Sequence, residues 1–242
     1  MPALAEKISI AALQQMKRDG RKIVAAVVYD YPMASIVDRA GVDLVSVGDS
    51  VGVNVWGHAS ESDVTLDEMR LVCRAVRRGV TRALVSCDVP VSASDVVAAA
   101  GALVAAGADL VKIEADAATV HAVVDAGVPV WAQLVGTNVE AAVLVAGAKQ
   151  LEAAGASLID FRHSGPIAGA AVTQAVAIPV LGGLGGGPWL DGRVRAIVNA
   201  IGYSAAALDA AGDRYANVAR TALDAVTAYA DDVRAGRQIK GQ

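Results

Sequence analysis

Cysteine and aromatic residues are scarce in this 242-residue sequence: it has two cysteines, Cys73 and Cys87, and 4% Phe, Trp and Tyr. Two cysteines are too few for a disulfide framework or a zinc site, which fits a reducing compartment and free buried thiols. An excess of positive charge is also absent, because the net charge is −4. No basic face interleaved with aromatic residues is found, so we expect no nucleic-acid partner.

Long hydrophobic runs are missing, although 55% of the residues are hydrophobic. Charged residues or glycines interrupt the alanine- and valine-rich stretches before they reach the roughly 18 apolar residues that a membrane span needs. The first twenty residues read as a short amphipathic helix and lack the long apolar segment of an export signal. The sequence therefore predicts a cytoplasmic protein with no membrane partner.

A phrase that starts with Ala-Gly and continues into an apolar, β-branched run occurs four times. The copies are AGVDLVSVGD from Ala40, AGADLVKIEA from Ala106, AGVPVWAQLV from Ala126 and AGASLIDFRH from Ala154. Glycine adopts the left-handed conformation that ends a helix at little cost, and the following run is typical of a buried parallel strand. Each copy therefore predicts a helix end followed by a strand.

Further strand-like runs bring the number of predicted strands to eight: KIVAAVVYDY, ALVSCDVP, IPVLGGLG and RVRAIVNA. Helical segments alternate with them, and one begins with a capping box of Thr65 and Glu68. This alternation predicts a mixed α/β fold, a (β/α)8 TIM barrel forming a single domain over residues 1–242, with an open doubly wound sheet as the alternative. The segment from Arg214 to Gly236 predicts a C-terminal helix that closes the barrel or packs on a neighbouring subunit.

Polar residues follow the predicted strands, at the barrel end where catalytic groups lie. They are Asp30, Asp49, Ser50, Asp88, Lys112, Glu114, Gln133, Asp160, Arg162 and His163. Barrel closure brings Asp49, Asp88 and Glu114 from adjacent strands towards one point, and oxygen ligands of this kind suit Mg²⁺. The alternatives are that an isolated aspartate caps a helix and that Lys112 forms a salt bridge to Glu114.

The glycine-rich run GGLGGGP, residues 182–188, follows the seventh predicted strand. Barrels commonly bind phosphate there, and glycine also lets the backbone approach a ligand closely, so Gly185 in this run is a candidate substrate contact. His163 ends the sixth strand and is a candidate for facing the site, whereas His121 is predicted on a surface helix. The run does not match the dinucleotide-binding fingerprint.

Four motifs in order, YDYP, VGDS, DVP and VKIE, together with VTLDEMRLVCRAVRRG and LGGLGGG, make the sequence similar to the ketopantoate hydroxymethyltransferase family. This family belongs to the phosphoenolpyruvate mutase and isocitrate lyase superfamily of barrels. The resemblance implies transfer of a one-carbon unit from 5,10-methylenetetrahydrofolate to the enolate of a branched 2-oxo acid such as 2-oxoisovalerate, a step of pantothenate synthesis. It also implies a homo-oligomer.

The resemblance assigns roles to the strand-end residues. Asp49, Asp88 and Glu114 match the Mg²⁺ ligands, and Ser50 and Lys112 match residues that hold the 2-oxo acid. In the family, a glutamate at the end of the sixth strand removes the C3 proton, and Arg162 stands at that position here. An arginine stays protonated in a protein, so it does not act as a base at neutral pH.

Two further departures lie in the second half of the chain. Gln133 replaces a histidine of the family on the fifth strand, and the loop after that strand is shortened. If proton abstraction persists, Asp160, which faces the same way as Arg162, or His163 must supply the base.

Three functions are compatible with these residues. The first is magnesium-dependent hydroxymethyl transfer to a 2-oxo acid. The second is a metal-dependent retro-aldol lyase or decarboxylase that acts on a 2-oxo acid with an extra carboxylate, which Arg162 would bind in bidentate fashion. The third is a non-catalytic barrel subunit, which retention of Asp49, Asp88, Lys112 and Glu114 disfavours because buried carboxylates without partners are costly.

Overall fold

The computed structural model describes residues 6–241 and contains a closed parallel barrel with the strand order β1 to β8. The strands are β1 (Ile23–Val27), β2 (Leu44–Val47), β3 (Leu84–Asp88), β4 (Leu110–Ile113), β5 (Val130–Val135), β6 (Leu158–Arg162), β7 (Val180–Gly182) and β8 (Gly192–Ala196). The fold is therefore the predicted (β/α)8 barrel and not an open sheet. Gly192 is required where β8 begins, because a Cβ there would collide with the Ile23 carbonyl at the start of β1.

Helices follow β1 to β6 and β8 as predicted, but β7 is connected to β8 by residues 183–191 without a helix. The helices are α1 (Ile10–Arg18), α2 (Tyr31–Arg39), α3 (Leu66–Gly79), α4 (Val96–Ala105), α5 (Ala117–Asp125), α6 (Ala141–Ala153), α7 (Pro166–Ala175), α8 (Ile197–Ala200) and α9 (Val218–Arg234). Residues 1–5 of the predicted N-terminal helix lie outside the described residues. No helix within residues 6–241 combines the length and apolar character needed to cross a membrane.

The repeated Ala-Gly phrase behaves as its composition predicts. Its four glycines, Gly41, Gly107, Gly127 and Gly155, all have positive φ angles, between 84° and 114°. Each follows the last turn of a helix and precedes a strand, so the chain reverses direction there without strain on a Cβ. These glycines set the connection from helix to strand at the N-terminal end of the barrel.

Helix caps lie at the opposite end of the barrel. Thr65 and Glu68 form the predicted capping box at the start of α3. Asp30 accepts a hydrogen bond from the Met33 backbone N–H and is the N-cap of α2, so capping explains this strand-end aspartate. Cys73 and Cys87 are buried free thiols, as predicted.

Two compact units are distinguished along the chain, and the first ends at Arg195. It holds the barrel strands and the helices α1 to α7. The second begins at Ala196 and contains α8 and α9. Within it, the Tyr215 N–H donates to the Ala200 carbonyl at 2.9 Å. The helix α9 exposes an apolar stripe formed by Leu223, Val226, Tyr229 and Val233.

Candidate active site

A cavity of ≈ 410 Å³ opens at the C-terminal ends of the barrel strands. Its walls come from several strand ends and from the segments after β2 and β3. The predicted site residues among its lining are Asp49, Asp88, Lys112, Glu114, Gln133 and Arg162. Residues from positions scattered over more than a hundred residues of sequence thus share one concave surface, which is the usual position of a TIM-barrel active site.

Lys112 is the centre of the polar cluster in the barrel. It lies beside Asp88 in the register of β3 and β4, and its Nζ is 3.0 Å from Asp88 Oδ2 and 3.8 Å from Asp160 Oδ2. All three side chains are buried. The lysine also lies 5.4 Å from the centre of the Trp131 ring. The predicted alternative, a salt bridge from Lys112 to Glu114, is not what forms, because Glu114 lies just beyond the end of β4 and is exposed.

Burial dominates the electrostatics of this cluster. It raises the pKa of Asp88 to about 7, against the opposing effect of Lys112 and with a further increase from Asp49. Burial likewise raises the pKa of Asp49 and Asp160, and Lys112 partly offsets both shifts. For Lys112, burial alone would lower the pKa, but Asp88 and Asp160 raise it above its ordinary value. These shifts favour the charged form of Lys112, whereas burial disfavours the charged forms of Asp49, Asp88 and Asp160.

The carboxylate oxygens test whether a metal ion fits here. Asp88 Oδ1 and Asp160 Oδ1 are buried, and neither has a hydrogen-bond partner within the described range 6–241. Between residues 6 and 241, no group of three or more His, Cys, Asp or Glu side chains is close enough to hold a metal. Asp49, Asp88 and Glu114 therefore do not form a preassembled set of three ligands. Mg²⁺ commonly uses one or two carboxylates together with water and substrate oxygens, so Asp49 and Asp88 suit it chemically.

Ser50 belongs to a hydrogen-bonded group that the sequence did not reveal. Its hydroxyl lies 2.9 Å from the Tyr29 hydroxyl, and Asn54 Nδ2 donates to the Tyr29 oxygen at 3.0 Å. Either hydroxyl can donate in this pair, and when Tyr29 is the donor, the Ser50 proton is free for another acceptor. Tyr29 is the first residue of the YDYP motif, which was the available signal for its role.

The remaining predicted residues divide into two groups. Gln133 lines the cavity and is paired with Asp160 in the register of β5 and β6. Ser50, Asp160 and His163 are not among the lining residues. Asp160 nevertheless lies 3.8 Å from Lys112 of the lining, whereas His163 is exposed and has a φ of 56°. Gly185 also lies away from the lining, and a Cβ there would be 2.8 Å from the His163 Cα. Its left-handed backbone and this close approach explain the glycine.

Comparison with known proteins identifies relatives across nearly the whole chain. A 3-methyl-2-oxobutanoate hydroxymethyltransferase from Cyanothece sp. is 37% identical over 255 residues, covering 94% of this chain and 96% of that protein. The enzyme of the same name from Thermoanaerobacter sp. is 32% identical over 256 residues, covering 96% and 93%.

Solved structures share the fold at lower identity. The 2,3-dimethylmalate lyase, a member of the phosphoenolpyruvate mutase and isocitrate lyase superfamily, has a TM-score of 0.64 and 17% identity, covering 83% of this chain and 84% of that one. A phosphonopyruvate hydrolase in complex with oxalate and Mg²⁺ has a TM-score of 0.64 and 14% identity, covering 95% and 88%. At 17% and 14% identity, these structural similarities establish a shared barrel fold and do not by themselves indicate a shared function.

The family model described as ketopantoate hydroxymethyltransferase matches residues 7–140 and 133–238. The two matches overlap at 133–140, which includes the end of β5 and the short loop before α6. The two matched segments thus meet at the loop after β5, which the sequence predicts to be shortened. With nearly the whole chain matched and relatives above 30% identity, this protein belongs to the ketopantoate hydroxymethyltransferase family, which is a family of transferases.

Proposed function

We propose that this protein transfers a hydroxymethyl unit to the enolate of a 2-oxo acid such as 2-oxoisovalerate, with Mg²⁺ as cofactor and 5,10-methylenetetrahydrofolate as one-carbon donor. The observation that carries the proposal is the buried Lys112 cluster next to the ≈ 410 Å³ cavity, in which two carboxylate oxygens lack partners. Buried polar groups without partners destabilise a fold, so they are expected where a ligand completes them. Family membership indicates the reaction class.

In this proposal, Asp49 and Asp88 hold the metal ion, and Glu114 contributes from the cavity wall through water. Bound there, Mg²⁺ supplies Lewis-acid stabilisation of the enolate. Lys112 places a fixed positive charge, about 3 Å from Asp88, near the oxygens on which negative charge develops. Ser50, oriented by Tyr29, donates its free proton to the 2-oxo acid.

We infer that Asp160 is the base. Neither Asp160 nor His163 is among the lining residues, but Asp160 lies 3.8 Å from Lys112, which lines the cavity, whereas His163 is exposed. Asp160 is 3% exposed, its Oδ1 has no partner among residues 6–241, and burial raises its pKa, which favours proton removal by a carboxylate. Asp160 therefore accepts the C3 proton that Arg162 cannot accept.

Exchange of the C3 proton of 2-oxoisovalerate in deuterated water, followed by NMR, tests the proposal. We expect exchange that depends on Mg²⁺ and needs no folate, because enolisation precedes transfer. Asp160→Asn should lower the exchange rate by about 100-fold or more, whereas His163→Asn serves as the comparison variant for the rejected base. Exchange that is lost in His163→Asn and retained in Asp160→Asn would reverse the assignment.

Arg162 favours a second candidate function, a retro-aldol lyase or decarboxylase. Cleavage of a carbon–carbon bond generates the enolate without a base at C3, so an arginine in place of the family glutamate would not prevent it. Dependence on the one-carbon donor separates the two functions. Product formed from a 2-oxo acid with no donor present would establish cleavage instead of transfer.

We also propose a homo-oligomer. Support comes from α9, where Leu223, Val226, Tyr229 and Val233 recur at intervals of three or four residues and are between 42% and 64% exposed. An apolar stripe of this kind is typical of a helix that packs on another surface. Sedimentation equilibrium of the wild type and of Val226→Glu tests this, with dissociation of the variant as the expected result.

A further inference from the structure

Arg162 occupies a rigid position at the mouth of the barrel. It is the last residue of β6, it pairs with Val135 in the register of β5 and β6, and its carbonyl accepts a hydrogen bond from the Gly136 N–H at 2.9 Å. The preceding Phe161 is fully buried. Because side chains alternate along a strand, Arg162 and Asp160 project to the side opposite Phe161, and Arg162 lines the cavity.

The guanidinium of Arg162 is unusual among the half-buried arginines because it has no direct partner. It forms no hydrogen bond and no ion pair with any residue in the part of the chain that the structure describes. By contrast, Arg77 pairs with Asp109, Arg82 donates to the Val42 carbonyl, and Arg70 pairs with Asp67. At longer range, the positive charge of Arg162 lowers the pKa of Asp49 and of Asp160.

Acidic residues line the same cavity as Arg162, and yet they do not pair with it. Asp49, Glu61 and Glu114 all belong to the lining, yet none forms an ion pair with Arg162. Lys112, the other cation of the lining, is engaged by Asp88. The fork of five N–H donors on Arg162 therefore remains available to an anion that enters the cavity.

We propose that Arg162 binds a second carboxylate on the substrate, so that the preferred 2-oxo acid is a dicarboxylic acid. This inference rests on the proposed function, in which the Lys112 end of the cavity holds the 2-oxo acid group. Arg162 lies two residues beyond Asp160 on β6, which corresponds to about 6.6 Å along the strand. A 2-oxo dicarboxylic acid of about four to six carbons spans that distance with bonds of about 1.5 Å.

A guanidinium recognises a carboxylate through two parallel hydrogen bonds, which gives direction as well as charge. A substrate with an uncharged side chain would leave those donors unsatisfied beneath the cavity mouth, so it should bind less well. Arg162 is thus a specificity-determining residue of the site. It takes no part in removing the proton.

The test compares 2-oxoglutarate with its 5-methyl ester, which has the same carbon chain but lacks the second charge. Both are measured by C3 proton exchange with Mg²⁺ and by calorimetric binding, next to 2-oxoisovalerate. We expect wild type to prefer the dicarboxylic acid by about 10- to 100-fold in kcat/KM, the value of one charge-assisted hydrogen-bonded pair. In Arg162→Gln the preference should fall to near one, and Arg162→Lys should retain part of it.

Arg78→Gln is the matched control, because it removes one positive charge from an exposed site on α3. It should leave the preference unchanged. A wild-type ratio near one, or a ratio unaffected by Arg162→Gln, would overturn the inference. An effect of Arg162→Gln on the KM of the one-carbon donor alone would also overturn it, by assigning the arginine to that ligand.

Failure of the proposed function gives a different result. If wild type exchanges the C3 proton of no 2-oxo acid, enolisation is absent, and the calorimetric comparison of 2-oxoglutarate with its ester still decides the role of Arg162. If 2-oxoisovalerate exchanges and the dicarboxylic acid has no advantage, the proposed function stands and the second-carboxylate inference fails.

Discussion

The two ends of the barrel use the same residue type in opposite ways. At the N-terminal end, aspartates accept hydrogen bonds from backbone N–H groups: Asp43 from Val24, Asp109 from Val85 and Asp191 from Val180. At the C-terminal end, Asp88 and Asp160 each keep one buried oxygen without a partner. The first group contributes hydrogen bonds to the fold, whereas in the proposed function a ligand completes the second group.

Asp38 is the clearest example of the first kind. From the last part of α2 it accepts hydrogen bonds from the backbone N–H groups of Thr81, Arg82 and Ala83, just before β3, and from the Thr81 hydroxyl. Such bonds favour the charged form, so this carboxylate stabilises the protein. Asp160 is also buried, but its surroundings disfavour its charge. Asp38 thus stabilises the fold at the N-terminal end, whereas burial of Asp160 costs stability at the C-terminal end. Such a cost is common at active sites.

Of the variants considered, Lys112→Met should cause the largest loss of activity. It removes the buried cation that Asp88 and Asp160 share, so we expect kcat/KM for the 2-oxo acid to fall by about 100- to 1000-fold. Urea denaturation should also show lower stability, because two buried carboxylates lose their counter-ion. A variant with near wild-type turnover would remove the lysine from the site.

Asp160→Asn and Asp38→Asn are a matched pair of variants, one at each end of the barrel. They should show that the C-terminal aspartate serves activity and the N-terminal one serves stability. Asp38→Asn should lower the free energy of unfolding by about 2 to 4 kcal/mol, since an amide cannot accept all the bonds that the carboxylate accepts. The folded fraction should keep its activity. Asp160→Asn should lower activity and leave stability unchanged or raised, because a buried charge is removed. Equal losses of stability in both variants would contradict the division.

The contribution of Asp38 to stability should depend on pH. The expected change is smaller than those above, and its direction follows from the pKa of this carboxyl. Burial tends to raise the pKa of Asp38, but the hydrogen bonds from Ala83 and Thr81 outweigh it and lower the pKa below its ordinary value of 3.8. A carboxylate with a lowered folded-state pKa stabilises the fold above its unfolded pKa, and this contribution is lost as the pH falls through the folded value. The stability gap between wild type and Asp38→Asn should therefore be constant near pH 7 and shrink below about pH 4. A gap that widens on acidification would refute the assignment.

Tyr29→Phe should have the smallest effect. It removes the hydroxyl that lies 2.9 Å from Ser50 and leaves the ring in place, so Ser50 loses orientation but not its position. We expect a rise in KM for the 2-oxo acid of about 3- to 10-fold, with a smaller change in kcat. Tyr31→Phe, at an exposed tyrosine two residues later, is the control and should behave as wild type.

Local sequence patterns were sufficient for most of the secondary structure, although α1 begins only at Ile10 and no helix connects β7 to β8. The Ala-Gly phrase predicts helix ends and strands because glycine at positive φ and an apolar run are properties of a few consecutive residues, as Gly41 and Gly107 show. The cap formed by Asp30 is local in the same sense, since donor and acceptor are three residues apart. These features need no information about distant parts of the chain.

The partners within the site were not predictable in this way. The sequence offered Glu114 as the partner of Lys112, but the lysine pairs with Asp88 and approaches Asp160, which comes from β6. It also offered His163, whose left-handed backbone conformation follows the end of β6, and the structure leaves that side chain exposed. Which side chains meet depends on strand register across the barrel and on the path of the loops.

The sequence by itself therefore determined the alternation of strands and helices up to β7, the glycine turns and the set of polar residues at the strand ends. Only the tertiary structure decided that Lys112 contacts Asp88 and Asp160, that Tyr29 hydrogen-bonds to Ser50, and that Arg162 lines the cavity without a direct partner among residues 6–241. The physical reason is the separation in sequence between the residues that interact. Helix and strand signals arise from neighbours in sequence, whereas the contacts of the site arise from closure of the sheet into a barrel, which fixes the distances between strands far apart in the chain.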